Sequence, residues 1–198
     1  MKTLYTYYKY KKFERLSDEE LFNFIADRNS RSELAFTVIY DRYSQKVWQY
    51  CFRMLGDSDL AKDILQETFL NFYNKIKKSL YVPDISVLLL AEARRLCIGF
   101  LKHEVKTIPY TDEEELPIES RKDNSELMTL IKKSIEKLPP KYKEALVLRE
   151  IQQLTYLEIE ALTGETMANV KVRIHRARTR VRKMLQQHIE DLERQNAL

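Results

Sequence analysis

Residues 169–185 read NVKVRIHRARTRVRKML, and this stretch decides how the C-terminal part of the chain is interpreted. Most of its other positions are arginine, lysine or histidine. Its apolar residues recur every three or four positions, the spacing that forms one stripe along an α-helix. These residues are Val170, Ile174, Ala177, Val181 and Met184. The stretch therefore predicts a helix with one packed face and a strongly cationic outer face.

A short capped helix and a turn precede this basic helix. Thr155 with Glu158 three residues later fits a capping box, and Gly164 suits the left-handed conformation that ends a helix. The three pieces predict a helix-turn-helix, whose second helix enters the major groove of DNA. An isolated basic helix could instead be a solvated face or meet anionic lipid or an acidic partner, but the preceding helix and turn favour DNA.

The residues expected to face DNA lie at and after the start of the basic helix. They are Thr166, Met167, Asn169, Lys171, Val172, Arg173, Arg176 and Arg178. Among them, Asn169, Lys171 and Arg173 carry side chains suited to the edges of adenine and guanine. The arginines are expected to contact phosphates as well.

The composition indicates a helical protein that is not embedded in a membrane. The chain of 198 residues contains 3 glycines and 5 prolines, and its net charge of +4 is modest. No window approaches the roughly 18 apolar residues of a membrane span, and no secretory signal is visible, so a cytoplasmic protein is expected. The histidines are dispersed and have no cysteine or carboxylate partners at metal-ligand spacing. No metal or other cofactor is expected.

Periodicity and helix breakers predict an all-α chain with two small helical domains. Residues 1–16 are an aromatic and basic arm that is expected to fray, and residues 17–103 form a first domain of helices. Residues 104–123 contain two prolines and an acidic run, which predicts a flexible linker. Residues 124–198 form the second domain, which contains the helix-turn-helix.

The third predicted helix, which begins at residue 57 or 58, has an apolar side and a polar side. The apolar side carries Leu60, Ile64, Phe69, Phe72 and Ile76, and the other side carries Asp63, Gln66, Glu67 and Asn71. Taken alone, this polar side is typical of a solvated helix face.

Two stretches together resemble the bacterial RNA polymerase sigma factors of the extracytoplasmic-function type. Residues 36–75, FTVIYDRYSQKVWQYCFRMLGDSDLAKDILQETFLNFYNK, are similar to the sigma-2 pattern, in which a Gly-Asp turn precedes an Asp-x-x-Gln-Glu-x-Phe helix. Residues 138–164, LPPKYKEALVLREIQQLTYLEIEALTG, and 170–185, VKVRIHRARTRVRKML, are similar to the sigma-4 pattern. The order and spacing of the two patterns match over residues 17 to about 186.

The resemblance implies a protein that binds core RNA polymerase, positions it at promoters and helps to melt them without catalytic chemistry of its own. The implied polymerase-binding residues are Asp63, Gln66, Glu67, Phe69 and Asn71. The implied contacts to melted promoter DNA are Tyr81, Arg94, Arg95 and Lys102. Family members are commonly held inactive by an anti-sigma protein, often membrane-anchored, so such a partner is implied, whereas insertion of this chain into a membrane is not.

The chain departs from the family patterns at several positions. Leu88 and Arg95 stand where the family has Trp and Asn, and residues 99–101 read Gly-Phe-Leu in place of Asp-Tyr-Leu. In the helix-turn-helix, Glu160 and Glu165 replace a small and an apolar residue. A buried glutamate would cost several kcal/mol unless paired. We therefore expect that either the two helices splay slightly or both side chains turn toward solvent.

Three other functional interpretations of the sequence require different features. A stand-alone DNA-binding regulator would keep the helix-turn-helix but have no use for Asp63, Gln66 and Glu67. A degenerate sigma-like protein would bind polymerase or an anti-sigma partner without melting DNA, in keeping with the missing Trp at Leu88 and with the two glutamates, Glu160 and Glu165. An enzyme is disfavoured because the acidic residues at 112–115 lie in the linker without converging partners.

Overall fold

The computed structural model describes residues 10–27, 30–76, 84–107 and 126–196, with backbone alone for residues 103–107, 126–127 and 188–196. These residues are almost entirely helical and include no strand, which confirms the predicted all-α class. The chain divides into two compact units, Met1–Leu101 and Lys102–Leu198. The predicted linker falls largely on residues 108–125, outside the described residues, so its flexibility stays a prediction.

The first unit contains helices α1 (Asp18–Ala26), α2 (Ser32–Leu55), α3 (Ser58–Ile76) and most of α4 (Ile85–Thr107). A capping box begins α1: the Ser17 backbone N–H donates to the Glu20 carboxylate at 2.7 Å, and the Glu20 N–H donates to the Ser17 hydroxyl at 3.2 Å. Gly56 ends α2 in the left-handed conformation, with φ of 77°. Helix α4 continues to Thr107, beyond the expected end of the first domain at residue 103, and no glycine or proline lies between that residue and Pro109.

The core of the first unit forms where α2 packs against α1 and α3. Its fully buried side chains come from all the helices of the unit, and include Leu21, Ile25, Ile39, Tyr50, Phe72, Ile76, Leu89 and Leu90. These positions follow the helical period, which is why the sequence could place each helix's buried face.

Residues 10–16 differ from the expected frayed arm, because they pack onto the first unit. Residues 10–14 form a short helical turn, and Phe13 is buried with its ring 5.0 Å from that of Phe24. The Tyr10 hydroxyl donates to Asp41 at 2.7 Å, and Arg42 donates to two backbone carbonyls of the segment. One buried aromatic and these hydrogen bonds hold a segment that has no helical periodicity of its own. Residues 1–9 lie outside the described residues.

A buried carboxylate links α3 to α4. Glu92 is 4% exposed, and it accepts hydrogen bonds from Asn71 at 3.0 Å and from Arg95 at 2.6 Å, while Lys75 contacts its other oxygen. Burial alone would raise the pKa of Glu92, but the hydrogen bonds and charges of Arg95 and Lys75 outweigh it and lower that pKa to about 2. The carboxylate is therefore charged and fully paired at neutral pH.

The second unit contains α5 (Glu126–Glu136), α6 (Pro140–Leu146), α7 (Tyr156–Thr163) and α8 (Met167–Asn196). Apolar residues at helical spacing continue beyond α6 to Ile151. The segment Val147–Ile151 is nevertheless a turn of π-helix rather than ordinary α-helix, closed by a bond from the Gln152 N–H to the Val147 carbonyl at 3.0 Å. Gln153 then takes a positive φ of 58°, and this reversal carries the chain into α7.

Helix α8 packs against α5, α6 and α7 with the stripe that its sequence predicted. Val170, Ile174 and Ala177 are buried, and Ala177 lies in a cluster with Leu138, Tyr142 and Leu146 of the α5–α6 region. Val181 and Met184 pack against the same cluster and are partly buried. The cationic positions of α8 consequently lie outside the core.

Lowering the pH should destabilise the first unit through Glu92. Because its pKa is lower in the folded chain than the ordinary value of 4.5, its contribution is complete above about pH 5 and is lost as the pH falls toward 2. That contribution is about 3 kcal/mol at most. We expect Glu92→Gln to remove most of this pH dependence, measured as free energies of unfolding in urea between pH 7 and pH 3.

The matched control is Asp63→Asn, which neutralises an exposed carboxylate on the neighbouring helix α3. It leaves the Glu92 cluster intact, so it should change the free energy of unfolding at pH 7 by no more than about 0.5 kcal/mol. An equal pH dependence in the wild type and in Glu92→Gln would show that the buried carboxylate is not the titrating group.

Candidate polymerase and nucleic-acid interfaces

Helix α3 presents an exposed polar face opposite the core. Asp63, Gln66 and Glu67 are all exposed, and their spacing of three and four residues puts them on one side of the helix. The opposite side is buried throughout, at Ile64, Leu65, Thr68, Phe69, Phe72 and Ile76. Core packing therefore fixes which way the predicted polar residues point.

Leu70, which was not among the predicted residues, extends this polar face by one turn. Leu70 is 62% exposed and follows Gln66 by four residues and Glu67 by three. Leu70 therefore places one large apolar side chain in solvent beside these carboxylate and amide groups. The signal was present in the sequence, because Leu70 follows the spacing of the polar residues rather than that of the core residues.

Two of the residues that the resemblance implied for polymerase binding, Phe69 and Asn71, make contacts within the first unit. Phe69 is 2% exposed, and its ring lies 4.7 Å from the ring of Tyr40 and 6.1 Å from that of Phe36. The side chain cannot reach a partner without leaving the core. Asn71 is partly buried and donates to Glu92, so it braces α3 against α4.

The residues expected to contact melted DNA lie on α4, except for Tyr81, which falls outside the described residues. Arg95 and Lys102 are exposed and seven residues apart, so they lie on one side of the helix, whereas Arg94 is partly buried. Arg95 also lines a small open cavity of about 240 Å³. The other lining residues are Asn71, Asn74, Lys75 and Glu92.

The helix-turn-helix is formed by α7, a glycine turn and α8. The predicted capping box is confirmed, since the Thr155 N–H donates to the Glu158 carboxylate at 2.6 Å and the Glu158 N–H donates to the Thr155 hydroxyl at 3.2 Å. Gly164 ends α7 with φ of 71°. The Asn169 N–H donates to the Thr166 hydroxyl at 3.3 Å, so Thr166 caps α8.

Hydrogen bonds around the turn satisfy the carboxylates of Glu160 and Glu165, the two glutamates that depart from the family pattern. The Glu160 carboxylate accepts a hydrogen bond of 2.9 Å from the Met167 N–H, at the positive end of the α8 dipole. The Glu165 carboxylate accepts a hydrogen bond of 2.7 Å from the Arg173 guanidinium. Both side chains are partly buried and each carboxylate is paired within the motif, so the expected escape of both side chains to solvent is wrong.

The outer face of α8 carries the predicted DNA-facing residues. The exposed ones are Thr166, Asn169, Lys171, Val172, Arg176 and Arg178, while Met167 and Arg173 are partly buried. The helical period puts Asn169 and Arg173 on one flank and Lys171 and Arg178 on the other. Ala168 and His175, which the sequence analysis did not select, are exposed on the same outward side as Val172.

Several of these cations are held by aromatic or acidic neighbours. The Arg149 guanidinium lies 4.7 Å and the Lys171 ammonium 5.7 Å from the centre of the Tyr156 ring. A hydrogen bond from Arg176, with burial opposing it, lowers the pKa of the Tyr142 hydroxyl. Arg178 donates to Glu150 at 3.0 Å. The cationic face is thus partly ordered before any ligand binds.

A metal-binding cluster and a membrane-spanning helix are both absent from the part of the chain that the structure describes. Among those residues, no three His, Cys, Asp or Glu side chains are grouped so that they could hold a metal ion. No described helix combines the length and the apolar character needed to cross a membrane.

Both units match known family models. Residues 39–104 match the model of Sigma-70 region 2, which covers α3 and its polar face. Residues 128–181 match the model of Sigma-70 region 4, which covers the helix-turn-helix. The two matches follow the order and spacing that the sequence patterns indicated.

Individual relatives agree with these matches. The chain is 34% identical over 167 residues to the ECF RNA polymerase sigma factor SigW of Bacillus subtilis, covering 76% of this chain and 89% of the relative. It is 27% identical to SigM of the same organism, covering 77% and 96%. The solved structure of the sigma factor RpoE of Bartonella quintana, in complex with the anti-sigma factor NepR, has the same fold at a TM-score of 0.62 and 19% identity, covering 74% and 94%. The chain therefore belongs to the ECF RNA polymerase sigma factors.

Proposed function

We propose that this chain is a promoter-specificity subunit that binds core RNA polymerase and directs transcription initiation at specific promoters. The observation that carries the proposal is the presence in one chain of two distinct interfaces, the polar face of α3 and the cationic face of α8. A stand-alone DNA-binding regulator would need only the second. The chain acts in the cytoplasm and supplies binding energy rather than catalytic groups.

The polymerase-binding surface consists of Asp63, Gln66, Glu67 and Leu70 on α3. Leu70 supplies an apolar anchor, and the neighbouring carboxylates and amide supply charge and hydrogen bonding at its rim. Such a surface suits a basic helical partner, because opposite charges steer the approach and the buried leucine adds affinity. Phe69 and Asn71 support this surface from the core side.

The duplex-binding surface is the outer face of α8. The helix enters the major groove, with Asn169, Lys171 and Arg173 directed at base edges and Arg176 and Arg178 at phosphates. Val172, which is 47% exposed, suits apolar contact with a thymine methyl group. The ring of Tyr156 and the hydroxyl of Tyr142 hold Lys171 and Arg176 near the positions from which they bind.

The melted-strand surface lies on α4. Arg95 and Lys102 offer contacts to phosphates, and the cavity beside Arg95 is lined by side chains that can hydrogen-bond to a base. Tyr81 would add a stacking surface. The pairing of Arg95 with Glu92 leaves much of its guanidinium exposed, which keeps it available to a strand.

An anti-sigma protein completes the set of proposed partners. The similar sigma factor RpoE was solved in complex with the anti-sigma factor NepR, and the fold is shared. We extend that kind of regulation to this chain. A membrane anchor on such a partner would place regulation at the membrane while this chain itself contacts no lipid.

Removal of the polar groups on α3 should abolish polymerase binding without unfolding the chain. Gln66→Ala combined with Glu67→Ala removes two exposed side chains, which typically changes stability by no more than about 0.5 kcal/mol each. Loss of interface charges and hydrogen bonds commonly costs about 2 kcal/mol or more. We expect loss of capture by core polymerase and of promoter-directed transcription, with an unchanged melting temperature.

The matched control is Glu33→Ala combined with Gln45→Ala, which removes the same groups from exposed positions on α2. This variant should bind core polymerase as the wild type does. Normal transcription by the folded Gln66/Glu67 variant would refute the proposed docking surface.

Leu70 should contribute to polymerase binding through burial of its side chain. At 62% exposed it contributes little to the core, whereas complete burial of a leucine is worth about 1.5–3 kcal/mol. We expect Leu70→Gln to weaken binding to core polymerase by about tenfold or more, measured by fluorescence titration of the full chain. The matched control is Leu157→Gln, which changes a leucine on α7 that is similarly exposed, at 65%. It should leave the affinity for core polymerase unchanged. Equal affinities for Leu70→Gln and the wild type would remove Leu70 from the interface.

A further inference from the structure

The carboxylate of Glu165 connects two of the proposed base readers. Its Oε1 accepts a hydrogen bond from Arg173 Nη2 at 2.7 Å, and its Oε2 accepts one from Asn169 Nδ2 at 3.4 Å. Glu165, Asn169 and Arg173 are spaced by four residues, so they form a row along one flank of the start of α8. The two readers are thereby joined through one acidic side chain.

The position of this carboxylate is fixed by the turn. Gly164 on one side has a left-handed backbone, and Thr166 on the other caps α8 through its hydroxyl. The bond from the Met167 N–H to Glu160 ties the start of α8 to α7 across the same turn. Both members of the Glu165–Arg173 pair are about a third exposed, with side-chain exposures of 31% and 27%. The pair lies at the rim of the DNA-facing surface, where solvent still reaches it.

This arrangement has two opposite effects on DNA binding. A guanidinium that is held in one plane by a carboxylate retains donors for the O6 and N7 of guanine, and it loses less side-chain freedom on binding. The same negative charge repels phosphates and keeps Arg173 from the sequence-independent contacts that dominate affinity. On this account, Glu165 lowers the affinity for DNA of any sequence and increases the discrimination between bases.

We propose that Glu165 is a specificity-determining positioning residue, which holds Arg173 and Asn169 toward base edges and keeps Arg173 away from the phosphate backbone. The proposal rests on duplex binding by α8, as inferred above. It assigns to Glu165 no contact with DNA of its own. Its predicted partner bases are guanine for Arg173 and adenine for Asn169.

Glu150 and Arg178 form a comparison pair within the same unit. Their ion pair is also short, but it is more exposed, at 46% and 49%, and Arg178 lies on the other flank of α8. Glu150 makes no described bond to Asn169, Lys171 or Arg173. Its removal should free a phosphate-binding cation without disturbing a base reader.

The test uses the full chain assembled with core polymerase and a pool of synthetic DNA duplexes with a randomised segment. Binding is measured for the unselected pool and for the sequences that the wild type enriches, over a range of salt concentrations. For Glu165→Gln we expect tighter binding to the unselected pool, a salt slope steeper by up to about 0.9, and discrimination reduced by about tenfold. The preference for guanine and adenine should be the part that is lost.

Three further variants separate positioning from charge. Glu165→Asp keeps the charge but shortens the side chain by one methylene, so it should lose discrimination without gaining affinity for the unselected pool. Glu150→Gln should tighten binding to all sequences alike and keep discrimination. In the Arg173→Ala background, Glu165→Gln should reduce discrimination much less than it does alone, because most of its effect passes through Arg173.

The outcomes that overturn the proposal are distinct from those that overturn the proposed function. Wild-type discrimination in both Glu165 variants, or a uniform loss of affinity for all sequences, would reduce Glu165 to a structural role. Failure of the wild-type assembly to bind duplex DNA at all would instead refute duplex binding by α8, and this inference with it.

Discussion

Burial of a narrow apolar stripe on α8 is the constraint on which the second unit depends. Val170, Ile174 and Ala177 are covered by neighbouring helices, and a charged side chain on that side would cost several kcal/mol unless it were paired. The cationic side chains of this helix therefore lie on its outer face. The DNA-facing surface is thus a consequence of how the core packs.

The same logic organises α3 in the first unit. Phe69, Phe72 and Ile76 fix the rotation of the helix in the core, which leaves Asp63, Gln66, Glu67 and Leu70 in solvent. Glu92 is the exception to this separation of polar and apolar groups. It is tolerated inside because Asn71, Lys75 and Arg95 satisfy its oxygens, and it ties the proposed polymerase surface to the helix that carries the melted-strand residues.

Much of the fold could be predicted because its signals are local. The capping boxes at Ser17 and Thr155 mark where α1 and α7 begin, and Gly56 and Gly164 mark where α2 and α7 end. Each of these signals consists of residues only a few positions apart in the chain. Periodicity then identified the buried stripe of α8 and the exposed Asp63, Gln66 and Glu67. Each of these inferences needs only the geometry of one helix.

The features that escaped prediction depend on contacts between elements. Periodicity placed Phe69 on the apolar side of its helix, but the rings of α2 that enclose it could not be identified from the sequence. The packing of Phe13 on Phe24 was not visible in a segment without periodicity. The partners of Glu160 and Glu165 lie seven and eight residues along the chain, across a turn whose geometry the sequence did not specify. The π turn at Val147–Ile151 likewise depends on how α6 must meet α7.

The most direct measurement is transcription in vitro with purified core RNA polymerase from the organism that encodes this chain, using genomic DNA fragments as templates. Addition of the full chain should produce transcripts that begin at a limited set of discrete positions, with none from those positions when core polymerase acts alone. A chain that fails to bind core polymerase, or that binds it without producing discrete start positions, would contradict a promoter-specificity function.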